Sequence, residues 1–151
     1  MSELLVRKAF WTDLDKLVEM ERICFPQGDA FSKRAMRRMV INPNGSIILD
    51  VLEYGGCMAG YAAYLTRKNS RTIRLYSLCV LPDYEGRGLA RKYLEGRLKD
   101  FSPYFSRISL EVRTSNGKAV RLYQGLGFKL QKVLEKYYAD GEKGYRLVKL
   151  L

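Results

Sequence analysis

The stretch Tyr84–Leu94, YEGRGLARKYL, sets Gly86 and Gly88 one residue apart at the mouth of a segment that turns abruptly amphipathic. Glycine there sacrifices backbone entropy and helix propensity unless something must approach the main chain closely. Upstream, TIRLYSLCVL (72–81) is apolar on both faces and reads as a strand inside a sheet. Downstream, Leu89, Ala90, Tyr93, Leu94 and Leu98 recur at helical spacing to about Lys99. RISLEV (107–112) then alternates, with Ile108, Leu110 and Val112 on one face and Glu111 on the other. Strand, glycine loop, helix and strand make a βαβ unit with parallel strands. Free amides at the start of such a helix gather into an anion site, and Arg87 and Arg91 add charge. Taken alone, GRG suits an ordinary left-handed turn better. The third glycine of the dinucleotide fingerprint is missing, and so is the GxxxxGK[ST] phosphate loop.

Outward from this unit, LLVRKAF (4–10) reads as an opening strand, and Thr12 as the cap of a helix whose apolar face begins with Leu14, Leu17 and Val18. After the Pro/Gly loop CFPQGDAF (24–31), Ser32 caps a short basic helix with Ala35, Met36 and Met39 on its apolar side, stopped by NPNG (42–45). SIILDVLEY and CMAGYAAYLT form a hairpin across Gly55-Gly56. Asn116 caps a helix with Ala119, Leu122, Tyr123 and Leu126 on one face, and two strands flank ADGEKG (139–144). The order βααβββαβαββ predicts one α/β domain over residues 1–151, a mixed central sheet flanked by helices.

Composition narrows the chemistry. The 151 residues carry 27 Lys and Arg against 16 Asp and Glu, a net charge of +11 concentrated after residue 30. That asymmetry suits an anionic partner or a solubilising surface equally well. No aromatic–glycine RNP pattern or helix-turn-helix signature accompanies it, so direct nucleic-acid binding rests on charge alone. The chain has no histidine, which removes Ser-His-Asp and Cys-His catalysis and leaves acid–base work to Glu, Asp, Tyr, Lys or Cys. Cys24, Cys57 and Cys79 are scattered without CxxC spacing, as expected of a reduced, cytoplasmic protein with no metal site. No apolar run reaches signal-peptide or membrane-spanning length.

VLPDYEGRGLARKYL (80–94) resembles the acyl-CoA loop of the GNAT superfamily of acetyltransferases, and LEVRTSNGKAVRLYQGLGF (110–128) resembles the second half of that domain. The likeness extends to CFPQGDAFS and KYYADGEKG, and within the superfamily it is similar to enzymes that acetylate the N-terminal alanine of a bacterial ribosomal small-subunit protein. The resemblance implies acetyl-CoA as co-substrate. Leu78, Cys79 and Val80 would lie along the pantetheine arm, Gly86, Arg87, Gly88, Leu89, Ala90 and Arg91 around the pyrophosphate, and Asn116 near the thioester. Glu111 would accept a proton and Tyr123 donate one. Tyr137 and Tyr138 would close over the acceptor, with only one of them facing it if both lie in a strand. Glu85 departs from the Gln or Arg that the family usually carries there, and its carboxylate repels a pyrophosphate.

The residues suit that chemistry. Acetyl transfer to an amine needs a proton taken from the ammonium and a proton given to the departing thiolate. An α-amine, with a pKa of about 8, is deprotonated far more readily than a lysine near 10.4. Read without the family, Glu111 suits a surface ion pair and Tyr123 a core position. Cys79, buried and without histidine, suits direct transfer better than an acyl-enzyme. The expected activity is acetylation of a protein N-terminus. The alternatives are a small-molecule amine or lysine side chain as acceptor, a basic RNA-binding module, or an acyl-CoA sensor without turnover.

Overall fold

The structure, a computed structural model, describes residues 3–25, 28–42 and 44–151. Pro26 and Gln27 of the expected Pro/Gly loop, and Pro43 of NPNG, lie outside the described residues. The elements run β1 (Leu4–Lys8), α1 (Leu14–Cys24), α2 (Lys33–Ile41), β2 (Ile47–Tyr54), β3 (Cys57–Leu65), β4 (Thr72–Val80), α3 (Leu89–Phe101), β5 (Arg107–Arg113), α4 (Gly117–Gly125), β6 (Lys129–Leu134) and β7 (Gly144–Leu150). This is the order expected from periodicity. The described strands form one sheet, β1-β2-β3-β4-β5-β7-β6, antiparallel except for the central β4–β5 pair.

Two side-chain layers sandwich the sheet. Leu17, Val18, Met20, Met36 and Met39 of α1 and α2 pack on Leu49, Val51, Tyr61, Ala63 and Cys79. Tyr93, Leu94, Leu98 and Phe101 of α3, with Tyr123 of α4, pack on Ile73, Leu75, Ile108, Leu110 and Val112. Asp50, buried on β2, ties α3 down by accepting from Arg97 twice at 2.7 Å and from the Tyr93 hydroxyl. Ser32 caps α2 through its Oγ, which accepts from Ala35 N–H, and Asn116 Oδ1 caps α4 by accepting from Ala119 N–H.

Thr12 is not the first cap. A short 3-10 turn, Trp11–Asp13, precedes α1, and the Asp13 carboxylate accepts from Phe10 N–H at 2.7 Å. Asp13 wins because Arg7 also reaches it, through two bonds of 2.8 and 2.9 Å, and holds its carboxyl below the usual range.

One irregularity in β4 shapes the rest. Ala63 pairs with Ser77 and Tyr64 with Leu75, so Tyr76 is an extra residue bulged out of the ladder. A single extra residue reverses the facing of everything after it. Ile73 and Leu75 belong to the α3 layer, whereas beyond the bulge Cys79 faces the α1 layer and Leu78 and Val80 pack toward α3. Pairing of β4 with β5 stops at Leu75–Leu110, although the strands continue to Val80 and Arg113. The two parallel strands therefore splay apart at their C-terminal ends.

Candidate active site

A cavity of about 450 Å³ lies at this splay. Leu78 from β4, Glu111 from β5, Asn116 and Tyr123 from the α4 segment, and Tyr137 and Tyr138 from the β6–β7 connection all line it. Cys79, Val80 and the segment 86–91 lie outside its wall. They continue the same strand end, because β4 runs through Val80 and a turn at Pro82–Tyr84 into the glycine loop. Since the Cys79 carbonyl points at Gly60 of β3, strand alternation turns the main-chain groups of Leu78 and Val80 away from β3, where the Val80 carbonyl accepts from the Cys24 thiol at 3.5 Å.

The glycine loop has the form of an anion cradle. Gly86 and Gly88 take φ of 78° and 71°, and a Cβ on either would meet nothing within 4 Å. Both requirements, a left-handed backbone and a clear approach, exclude larger residues. Gly88 is the N-cap of α3 and accepts from Lys92 N–H. Among the described residues, the amides of residues 86–91 have no backbone or side-chain acceptor. Leu89 is buried beneath this turn. Arg87 stacks on the Tyr54 ring, and Arg91 bonds Glu95 and the Gly125 carbonyl, bridging α3 to the end of α4. Glu85 pairs with Lys118 of α4 at 3.2 Å, so its charge is partly met.

Glu111 faces away from the apolar layer, as its alternation predicts, but it is not free. Arg74 Nε donates to one carboxylate oxygen at 2.9 Å and Arg146 Nε to the other at 3.1 Å, with the side chain only 8% exposed. The two guanidiniums fix its orientation. Tyr123 packs edge-to-face on Phe128, and burial raises its pKa, so the phenol stays protonated. The Cys24 thiol and burial together push the Cys79 thiol up, which argues against a nucleophilic cysteine there.

Tyr137 and Tyr138 lie in the loop between β6 and β7 rather than in a strand, so strand alternation does not separate them. Both line the cavity, their rings edge-to-face at 5.0 Å. Arg113 also acts at this end. Its guanidinium grips Asp29 at 2.7 and 2.8 Å and Asp140 at 2.9 Å, and it stacks on Tyr138. One side chain thus joins the α1–α2 and β6–β7 loops across the cavity.

Sequence reading passed over Glu21, Gly60, Arg74, Arg113 and Arg146. Two of these carried a signal. Glu21 continues the apolar stripe of Leu14, Leu17 and Val18, where a charged residue is out of place, and Gly60 interrupts a strand. The arginines had none.

Residues 12–128 match the acetyltransferase (GNAT) family. The chain belongs to the GNAT family of acetyltransferases. It is 29% identical to an N-alpha-acetyltransferase of Saccharolobus solfataricus, over 99% of this chain and 94% of that one. It is 35% identical to the N-terminal acetyltransferase A complex catalytic subunit NAA10 of Arabidopsis thaliana, over 97% and 77%. The crystal structure of the ribosomal-protein-S18-alanine N-acetyltransferase from Escherichia coli superposes with a TM-score of 0.84 at 25% identity, covering 98% of this chain and 94% of that one. As a GNAT enzyme, the protein is an acetyl-CoA-dependent N-acetyltransferase, which sets aside the RNA-binding and sensor alternatives. No described helix is long and apolar enough to cross a membrane.

Proposed function

We propose that this single-domain GNAT enzyme acetylates the N-terminal α-amine of a protein, a ribosomal small-subunit protein being the foremost class of acceptor, by direct transfer. The observation that carries this reading is that Glu111, Tyr123, Asn116 and both loop tyrosines line one cavity where β4 and β5 part. A cavity lined by residues of the α1–α2 and β6–β7 loops suits the end of a peptide. The names of the relatives supply the acceptor class.

The residues fit acetyl-CoA, which when bound supplies an acetyl thioester. Amides of residues 86–91 and Arg87 would hold the pyrophosphate, and the main chain of Leu78 and the Val80 amide would run along the pantetheine, the Val80 carbonyl being taken by the Cys24 thiol. Glu111, oriented by its two arginines, takes the proton of the α-ammonium. Tyr123, protonated at neutral pH, donates to the departing sulfur. Asn116 keeps its Nδ2 hydrogens for the thioester end, since its Oδ1 caps α4.

Thiol release from acetyl-CoA, measured with peptides that differ only in their first residues and with α-amine-blocked controls, tests the acceptor. Turnover confined to free α-amines is expected; equal turnover of blocked peptides through a lysine overturns the reading. Acetyl-CoA at 100 times its Kd should stabilise the fold by about 2.7 kcal/mol, read as a rise in Tm that shrinks with salt. No shift at saturation would remove the cofactor assignment. Replacing Arg113 by Gln should raise the peptide KM roughly tenfold, because charge-assisted bonds of about 1.5–3 kcal/mol hold the two loops together. Acetyl-CoA affinity should stay unchanged, since the Arg113 guanidinium bonds the α1–α2 and β6–β7 loops and no residue of the glycine loop.

A further inference from the structure

Charge accounting inside the cavity leaves one carboxyl without a cation. Glu21, Asp29 and Glu111 line it. Asp29 is taken by Arg113, and Glu111 by Arg74 and Arg146. Glu21, on α1 and 1% exposed, enters no ion pair among the described residues. One of its oxygens accepts from the Tyr61 hydroxyl and from Ser77 Oγ at 3.1 Å, the other from Phe31 N–H at 3.0 Å. All three donors are neutral. The other titratable groups facing it are Cys24 on its own helix and Cys79 on β4, neither of them a cation.

A carboxylate offers about four acceptor positions, so one position on the oxygen facing Phe31 is unused. A buried anion among neutral donors is costly until a cation joins it. Burial accordingly raises the pKa of Glu21, while its three donors oppose that shift. An α-amine of pKa about 8 arrives at neutral pH as such a cation.

We propose that Glu21 is the counter-ion that receives the α-ammonium of the incoming chain. It positions and selects the charged amine, and proton removal stays with Glu111. This rests on the acceptor reading above. At a carboxylate only 1% exposed the attraction is stronger than in solvent. The acetylated product carries no charge there and loses the pairing, so the contact that admits the amine also releases the product.

The test is binding to the CoA-loaded enzyme of a lysine-free peptide with a free α-amine, against the same peptide N-acetylated, at pH about 6.5 and above the amine pKa of about 8. Wild type should prefer the free amine at least tenfold at the lower pH, and the preference should shrink at the higher one. Glu21→Gln should lose it at both. Tyr61→Phe keeps the charge and should keep the preference. If the glutamine variant does not fold, Glu21→Met combined with Tyr61→Phe and Ser77→Ala removes the carboxylate together with both of its side-chain donors, a change proteins tolerate better, and carries the same expectation. A preference that survives in a folded Glu21 variant overturns the proposal alone. A wild type that neither binds nor acetylates the free-amine peptide overturns the acceptor reading, and this proposal with it.

Discussion

Glu111→Gln should lower the rate at neutral pH by roughly 10² or more, and much of that loss should return at alkaline pH. The substitution keeps the shape and removes the only group in the cavity assigned to take the ammonium proton. Above the amine pKa of about 8 the acceptor arrives already deprotonated, and the base is no longer needed. Tyr123→Phe removes only a hydroxyl, and its defect should not recover with pH, because sulfur departure still lacks its proton. Arg74 and Arg146 lose their shared partner in Glu111→Gln, but their side chains are 36% and 37% exposed, so water solvates them and the fold should survive. Acetyl-CoA binding should persist in both variants. Identical pH responses, measured as kcat profiles on one peptide, would withdraw the two roles together.

How far the sequence went depended on the range of the interactions involved. The βαβ unit and the caps at Ser32 and Asn116 are local. Periodicity and a cap three residues away from its acceptor amide are written within one segment. The β4 bulge is not local, because Tyr76 is extra only relative to the pairing of β3. Glu111 could be placed on the right face of its strand, yet its arginines come from β4 and β7 and gave no sign in the LEV triplet. Arg113 and Asp29 stand 84 residues apart, and only the folded loops bring them together. Thr12 had the right residue type for a cap, but a rival two-point partner for Asp13 lay on β1. The loop tyrosines were misjudged for a simpler reason. Alternation applies only inside a ladder, and β6 ends at Leu134.

Gly60→Ala should destabilise the protein by at least the roughly 1–3 kcal/mol typical of overpacking, and it should weaken acetyl-CoA binding in whatever fraction still folds. A Cβ at Gly60 would overlap the Cys79 carbonyl oxygen and stand 3.1 Å from both the Cys79 carbonyl carbon and Val80 Cα. These are backbone atoms, which cannot rotate away as a side chain would. Gly60 pairs with Val80 beside a register shift at Leu52/Glu53, where β3 carries an extra residue relative to β2. Relief requires the end of β4 to move away from β3, toward the gap at its splay from β5. That gap is where Leu78 presents its main chain and Val80 its amide, so a packing change on one side of the strand becomes a binding change on the other. Gly88→Val offers the contrast. It meets open space and should spoil acetyl-CoA binding with a much smaller loss of Tm, because it strains one loop residue and blocks the amides directly. Thermal melts with and without acetyl-CoA separate the two. Gly60→Ala should lower the Tm of the free protein most, and Gly88→Val the shift that acetyl-CoA produces. A Gly60→Ala protein that melts like wild type would mean that β4 yields without cost, and that its end is not held in place by β3.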